Sequence, residues 1–366
     1  MSPTDTVTLV DLRRAFLAHL EGDLAVAEAV YRRALAVPAM APATHRHLIK
    51  LLEGQHRWNE ALDECRLALV REPDDAELKI NLANLLLGLG RYAEAWPLLE
   101  ARAALSAGSV RPNLPYPEWD GGTVRSLVIW DEQGFGDAIQ HSRFVPALVA
   151  RGIAVTLVLR PELCALLSDL GATVIPAQGQ LRVPAADAWA MIGSLPGRLG
   201  VTVESLADSW PYLAPPADRR AKWAGKIGPA ARIGVVARGK AIHVNDAQRS
   251  LPYEGADFLQ SLPGAVSLEP GGPLPLADFA DTAAVIEQLD LVIAVDTAVA
   301  HLAGAMGKPC WVILPYLGLD WRWFYDGRAT SPWYPSIRLY RQAAPRDWAG
   351  VLRAIAADLP AVLRWP

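Results

Sequence analysis

A period of 34 residues in the first hundred restricts that part of the chain to helical hairpins stacked on copies of themselves. Ala27, Ala61 and Ala95 recur at this spacing, as do Gly22, His56 and Gly90, and Leu24, Trp58 and Tyr92; Ala34 and Ala68 repeat it once more. A small residue lets two antiparallel helices approach closely, and the large residue three positions earlier fills the groove beside it. Pro73 falls just after the second helix of its unit, where the ring ends the helix and sets the turn.

The pattern resembles a tetratricopeptide array over residues 8–105. Its first unit has Leu24 in place of the aromatic. Its third has Pro97 and Arg102 where helix and a small residue are expected, so the last helix is expected to bend. Stacked helix pairs offer a concave surface to a protein partner, or they cap the domain that follows. Both readings stand at this level.

The remainder alternates short apolar runs with helical patterns, the signature of parallel α/β sheets. Strands are predicted at 127–130, 155–159, 174–175, 232–237, 266–268, 291–295 and 310–314. Helices are predicted at 138–150, 161–170, 282–288, 298–306 and 347–358. The expected organisation is an all-α repeat block at 1–105, a Gly/Pro-rich linker at 106–123, one Rossmann-like half at 124–215 and a second at 216–366. The stretch 211–230 reads as a hinge, and the last helix is placed to pack back onto the first half. Facing parallel sheets point their strand carboxyl ends at a shared cleft, where ligands are expected.

Three turns follow predicted strands and carry polar chemistry. The first is Asp131-Glu132-Gln133-Gly134-Phe135-Gly136-Asp137. Ile139 stands where a dinucleotide fingerprint needs its third glycine. The turn instead sets Asp137 at a helix N-terminus, where a carboxylate acts either as a cap or as a reactive group. The second, Asp296-Thr297-Ala298-Val299-Ala300-His301, joins a carboxylate, a hydroxyl, first-turn amides suited to phosphate and an imidazole one turn on. The third comprises Arg238-Gly239-Lys240 and Asn245-Asp246-Ala247-Gln248-Arg249-Ser250, with cations beside a glycine as diphosphate recognition requires, or a solvated basic loop. Glu269 follows a further strand, in reach of a ribose or base. The aromatics at 321–325 and 333–334 suit either sugar stacking or packing of a long loop.

Bulk properties narrow the field. A net charge of −4 gives no overall attraction to nucleic acid or acidic membranes. No run is long and apolar enough for a membrane span, and Met1–Thr6 does not open a signal peptide, so the expected compartment is the cytoplasm. Cys65, Cys164 and Cys310 are scattered singly, with no metal-ligand spacing.

Taken together, Gly136-Asp137-Ala138-Ile139, Asp296-Thr297-Ala298 with His301, and Asn245-Asp246 with Arg249-Ser250 resemble the ADP-heptose heptosyltransferase family, glycosyltransferase family 9, and its tetratricopeptide-fused relatives. Ser331-Pro332-Trp333-Tyr334-Pro335 looks like those relatives too. The resemblance covers 124–358 and implies a two-domain GT-B fold and sugar transfer from a nucleotide sugar to a hydroxyl of a protein or glycan, with inversion and with neither metal nor cofactor. It implies Asp137 as base and Asp296, Thr297, Ala298 and His301 as donor contacts. From the residues themselves, Glu269, Arg249 and Lys240 are expected on the donor side, and Gln133, Gly134 and Gly136 are expected to form the acceptor-side turn. The chain departs from the pattern at Ala237-Arg238, at Glu269, and at His243-Val244 before Asn245. Sugar, nucleotide and acceptor are left open. Two other readings are a tetratricopeptide scaffold on an inactive transferase fold and a sugar-nucleotide epimerase. An oxidoreductase would need the missing glycine and an acidic residue where Thr156-Leu157-Val158 stand.

Overall fold

The structure, a computed structural model, describes residues 7–105, 111–240 and 245–363. Met1–Thr6, the first part of the expected linker (106–110) and His243-Val244 lie outside them. The chain divides into two compact units. One comprises Met1–Ser106 with Asp320–Gly327, the other Ala107–Leu319 with Arg328–Pro366.

The first unit is all-helical: α1 (Leu9–Glu21), α2 (Leu24–Ala34), α3 (Ala41–Gly54), α4 (Trp58–Arg71), α5 (Ala76–Gly88), α6 (Tyr92–Leu99) and a last turn, α7 (Arg102–Leu105). The 34-residue spacing falls on equivalent places. Gly22, His56 and Gly90 all have positive φ (92°, 58° and 78°) and turn the chain between the two helices of each hairpin. In the middle hairpin this left-handed position is held by a histidine, at a cost of roughly 1–2 kcal/mol; the His56 ring stacks on Trp58. Ala27, Ala61 and Ala95 are wholly buried on the second helices. Pro97 lies inside α6, which ends two residues later.

The period does not foretell that eight residues from late in the chain belong to this unit. Tyr325 lies on Trp58 (centroids 4.0 Å apart, planes 12°) and its amide donates to the Gly88 carbonyl at 2.9 Å. Phe324 and Trp321 meet Tyr92, and Trp321 also meets Trp96. The second and third units carry aromatics where the first has Leu24, and it is those aromatics that receive the segment. Trp321, Trp323 and Phe324 are buried here, so they present no face to a sugar.

The second unit holds two sheets. β1 (Ser126–Trp130), β2 (Ala154–Leu159), β3 (Thr173–Pro176) and β4 (Ala188–Met191) form an all-parallel sheet ordered β3-β2-β1-β4. β5 (Ile233–Val236), β6 (Ala265–Ser267), β7 (Leu291–Val295), β8 (Cys310–Leu314), β9 (Thr330–Ser331) and β10 (Tyr334–Arg341) form the other, ordered β6-β5-β7-β8-β10-β9; only β9 runs antiparallel. The central strands β7 and β8 of the second sheet are apolar and buried along their whole length, as strands of a parallel sheet covered on both faces are. β4, β9 and β10 are absent from the sequence-predicted strands: β4 is short and alanine-containing, β9 is two residues long, and β10 mixes charged and apolar residues.

Three other expectations change. The predicted helix 138–150 is broken into Phe135–His141, a 3₁₀ turn at Ser142–Phe144 and Val145–Ala150, which restarts with Pro146 in its first turn. The last helix, Trp348–Leu363, expected against the first half, packs on the second sheet. Its Val351, Ile355 and Leu359 join Ile233, Leu259 and Tyr340 on the second sheet, because β10 provides the apolar face beside it. Within 211–230, helix Ala217–Trp223 is docked rather than hinge-like: Arg219 and Lys222 both pair with Asp281 on helix Phe279–Gln288, and Arg220 pairs with Glu287. From the expected linker, Leu114 and Tyr116 pack against β4, and Trp119 donates its amide to the Trp189 carbonyl. Among the described residues no helix is long and apolar enough to cross a membrane.

Two consequences are measurable. A Cβ at Gly88 would enter the van der Waals envelope of the Tyr325 ring, so Gly88→Ala is expected to destabilise by about 1–3 kcal/mol, read as an earlier urea midpoint in tryptophan fluorescence. Asp281 has no exposed surface. Burial alone would raise its pKa, but hydrogen bonds from Lys222 and the Ala277 amide outweigh it, and the carboxyl titrates below its ordinary range. Its stabilisation is complete above the unfolded value of about 4 and is lost as pH falls through the lower folded value. Asp281→Asn should therefore lie below wild type in stability at pH 7 and converge with it in acid.

Candidate functional site

The candidate residues sit at strand carboxyl ends, where parallel sheets leave room for ligands. After β1 the chain turns through Gln133, which is exposed with φ 59°, and enters helix Phe135–His141 at Gly134. The Gly134 amide donates to the Asp137 carboxylate at 2.8 Å, so Asp137 caps its own helix while staying half-exposed. This cap fixes where the Asp137 carboxylate stands on the turn. A side chain at Gly134 would collide with that carboxylate.

After β7 the chain enters helix Ala298–Ala305. This helix crosses helix Phe135–His141 at Gly136. A Cβ there would lie 2.8 Å from His301 Cδ2 and 3.5 Å from the Ala298 Cα. The absence of a side chain at Gly136 therefore brings the Asp137 turn directly against the Asp296–His301 turn. His301 is buried, with Nδ1 3.0 Å from the Tyr334 hydroxyl and Nε2 3.9 Å from Asp296 Oδ1. Thr297 differs from expectation. Its hydroxyl donates to the Val295 carbonyl at 3.1 Å, so the proton points back into the strand. What this turn offers an anion is the first-turn amides, which no intrahelical acceptor serves.

The third stretch joins the same place. Arg249 donates to the Asp296 carbonyl at 2.9 Å and lies 3.7 Å from Asp246. Gly239 lets both approach: a Cβ there would be 2.5 Å from Asp246 Oδ1 and 2.7 Å from an Arg249 nitrogen. The Gly239 amide donates to Ser250, which donates to Asp246. Glu269 accepts from the amides of Ala237 (2.8 Å) and Arg238 (3.0 Å), holding the end of β5. This places Glu269 one residue from Gly239, with one carboxylate oxygen engaged. Lys240 Nζ lies 4.8 Å from the Phe135 ring centroid.

Sequence reasoning missed Phe135, Arg160 and Arg143. Arg160, after β2, pairs with Asp131 through two nitrogens and lies 4.2 Å over the Phe135 ring. Phe135 meets Phe279 from the second half, centroids 5.0 Å apart. Its place between two glycines was the available signal. Trp333 and Tyr334 are wholly buried, which excludes them as a sugar-stacking face.

Comparison with known proteins bears on the second half of this unit. Residues 270–313 match the model of glycosyltransferase family 9 (heptosyltransferase). The chain resembles glycosyltransferase family 9. The match contains β7, Asp296, Thr297, Ala298 and His301. Protein FlbA of Caulobacter vibrioides (strain ATCC 19089 / CIP 103742 / CB 15) is 26% identical over 350 residues, covering 82% of this chain and 58% of FlbA. The chain thus spans little more than half of that relative. Two solved structures align at low similarity. One is a family 9 glycosyl transferase from Veillonella parvula (TM-score 0.42, 12% identity, 63% of this chain and 89% of that one). The other is E. coli heptosyltransferase WaaC with ADP-2-deoxy-2-fluoro heptose (TM-score 0.41, 13% identity, 64% and 99%). At these scores neither bears on substrate.

Gly136→Ala tests the crossing. The buried His301 ring has little room to withdraw, so the variant is expected to unfold about 1–3 kcal/mol more easily, read by chemical denaturation; an unchanged midpoint would mean the two helices are free to part.

Proposed function

We propose that the chain is a GT-B glycosyltransferase that moves a sugar from a nucleotide-sugar donor to an acceptor hydroxyl with inversion, and that its helical unit is a tetratricopeptide array serving a protein acceptor or partner. The observation that carries this reading is the contact of Gly136 with Ala298 and His301. It sets a half-exposed carboxylate from one half beside an anion-binding turn from the other.

In this mechanism Asp137 takes the proton of the acceptor hydroxyl as that oxygen attacks the anomeric carbon. The bond to the diphosphate breaks on the opposite face. Charge developing on the leaving diphosphate meets the first-turn amides at Ala298–Val299, with Arg249 and Lys240 as cations on the same side. Arg249 is already held against the Asp296 carbonyl, so little reorganisation is needed when the anion forms. Asp296 and His301 orient the donor, and Glu269 keeps the Arg238–Gly239 backbone in place. No step requires a metal. Gln133 and Gly134 shape the acceptor side of the turn.

Two measurements test the proposal. Mass spectrometry of small molecules retained by purified protein, or trapped by it from a cell extract, is expected to find a nucleotide sugar. Asp137→Asn is expected to lower transfer about 10²–10⁴-fold while donor affinity, by calorimetry, changes less than about threefold, since the base contributes to the transition state and not to ground-state binding. Normal turnover in this variant removes Asp137 from the mechanism. Sugar conversion without acceptor would favour an epimerase.

A further inference from the structure

Arg143 lies six residues after Asp137 and is 1% exposed. Its guanidinium donates to two main-chain carbonyls from distant parts of the chain, Leu206 (2.8 Å) and Trp333 (3.0 Å). Three rings surround it: Tyr212, Trp333 and Tyr334, at 5.1, 5.3 and 5.9 Å. A buried cation is costly unless its surroundings replace the lost water. Here carbonyl dipoles and aromatic faces do so, and the planar fork engages two carbonyls at once.

The same surroundings hold both functional helices at the ends away from the chemistry. The Tyr212 hydroxyl donates to the Ile139 carbonyl at 3.0 Å, within helix Phe135–His141. The Tyr212 amide donates to the Ala305 carbonyl at 3.0 Å, and the Trp210 indole donates to Gly304 at 2.7 Å, both at the end of helix Ala298–Ala305. Tyr334 packs on Gly304, where a Cβ would enter its ring, and its hydroxyl meets His301. Burial raises the Tyr212 phenol to about 12, with Arg143 pulling the other way, so it remains a donor at any ordinary assay pH.

Both helices are therefore held at their carboxyl ends by one strap, residues 210–213, with Arg143 and Tyr334 beside it. Their amino ends carry Asp137 and the Asp296–His301 turn. Asp137 stands two residues before Ile139, where Tyr212 holds the helix, and six before Arg143, so any tilt of this helix at the strap carries the carboxylate with it. We infer that Arg143 is a positioning residue, fixing the angle between the two helices so that the Asp137 carboxylate faces the donor turn. The inference rests on the glycosyl-transfer reading for its kinetic consequence, but the geometry it describes can be measured without activity.

The test uses the full chain with Arg143→Met, which keeps bulk but loses the charge and both hydrogen bonds, and Arg143→Lys, which keeps the charge. For transfer, Arg143→Met is expected to lower kcat 10–100-fold with KM for the donor within twofold, and Arg143→Lys to recover part of the loss. Hydrogen exchange should quicken at the amides of residues 138–141 in Arg143→Met, with 298–305 protected as in wild type. The inference is overturned if kcat stays within twofold, if donor KM rises as steeply as kcat falls, or if exchange at 138–141 is unchanged. Should Arg143→Met fail to fold, Arg143→Lys decides through the same ratio and the same amides. Absence of transfer by wild type with every donor would count against the glycosyltransferase reading, and the exchange result would still decide the positioning role.

Discussion

The second unit depends on one crossing, that of helix Phe135–His141 over helix Ala298–Ala305 at Gly136. Two short helices can place their amino ends side by side only if nothing protrudes at the crossing. Gly136 meets the buried His301 ring and the Ala298 backbone where any side chain would collide. The requirement is steric and not conformational, since Gly136 is not among the residues with positive φ. Four strand ends meet near this crossing: the Asp137 turn after β1, the Gly239 backbone with Asp246 and Arg249 after β5, Glu269 after β6 and Asp296 after β7.

Each of these groups is held by main-chain hydrogen bonds, which explains how a site made of loops has a definite shape. Asp137 holds its own turn through Gly134, Glu269 holds the end of β5, and Arg249 holds the Asp296 carbonyl. These bonds fix the direction of the backbone and side-chain dipoles around the strand ends. The Thr297 hydroxyl donates back to the Val295 carbonyl of the strand.

The helical unit shows how a repeat is completed by a segment outside it. Trp58 and Tyr92 occupy equivalent positions 34 residues apart, and both receive rings from 321–325. The first hairpin has Leu24 at that position. The aromatic character of the second and third hairpins has its physical reason in this packing, since stacked and edge-on rings gain more than area alone.

Residue order alone determined what local spacing can encode. The 34-residue period located three hairpins, and even the odd member His56 proved to hold the left-handed turn that glycine holds in the others. The alternation of apolar runs located seven strands, and the Gly-Asp and Asp-Thr turns were legible because strand ends and helix starts have local signatures. β4, β9 and β10 were not: β4 is a four-residue run with two alanines, β9 is only two residues long, and β10 mixes charged with apolar residues. The packing of the last helix was misjudged because an amphipathic helix does not say which sheet will accept it. Only the tertiary structure decided that Gly136 meets His301, that Tyr325 lies on Trp58, and that Arg143 sits buried on the carbonyls of Leu206 and Trp333. Those pairings join residues 63 to 267 positions apart, and no short-range pattern encodes them, because they arise when separate elements compete for the same buried space.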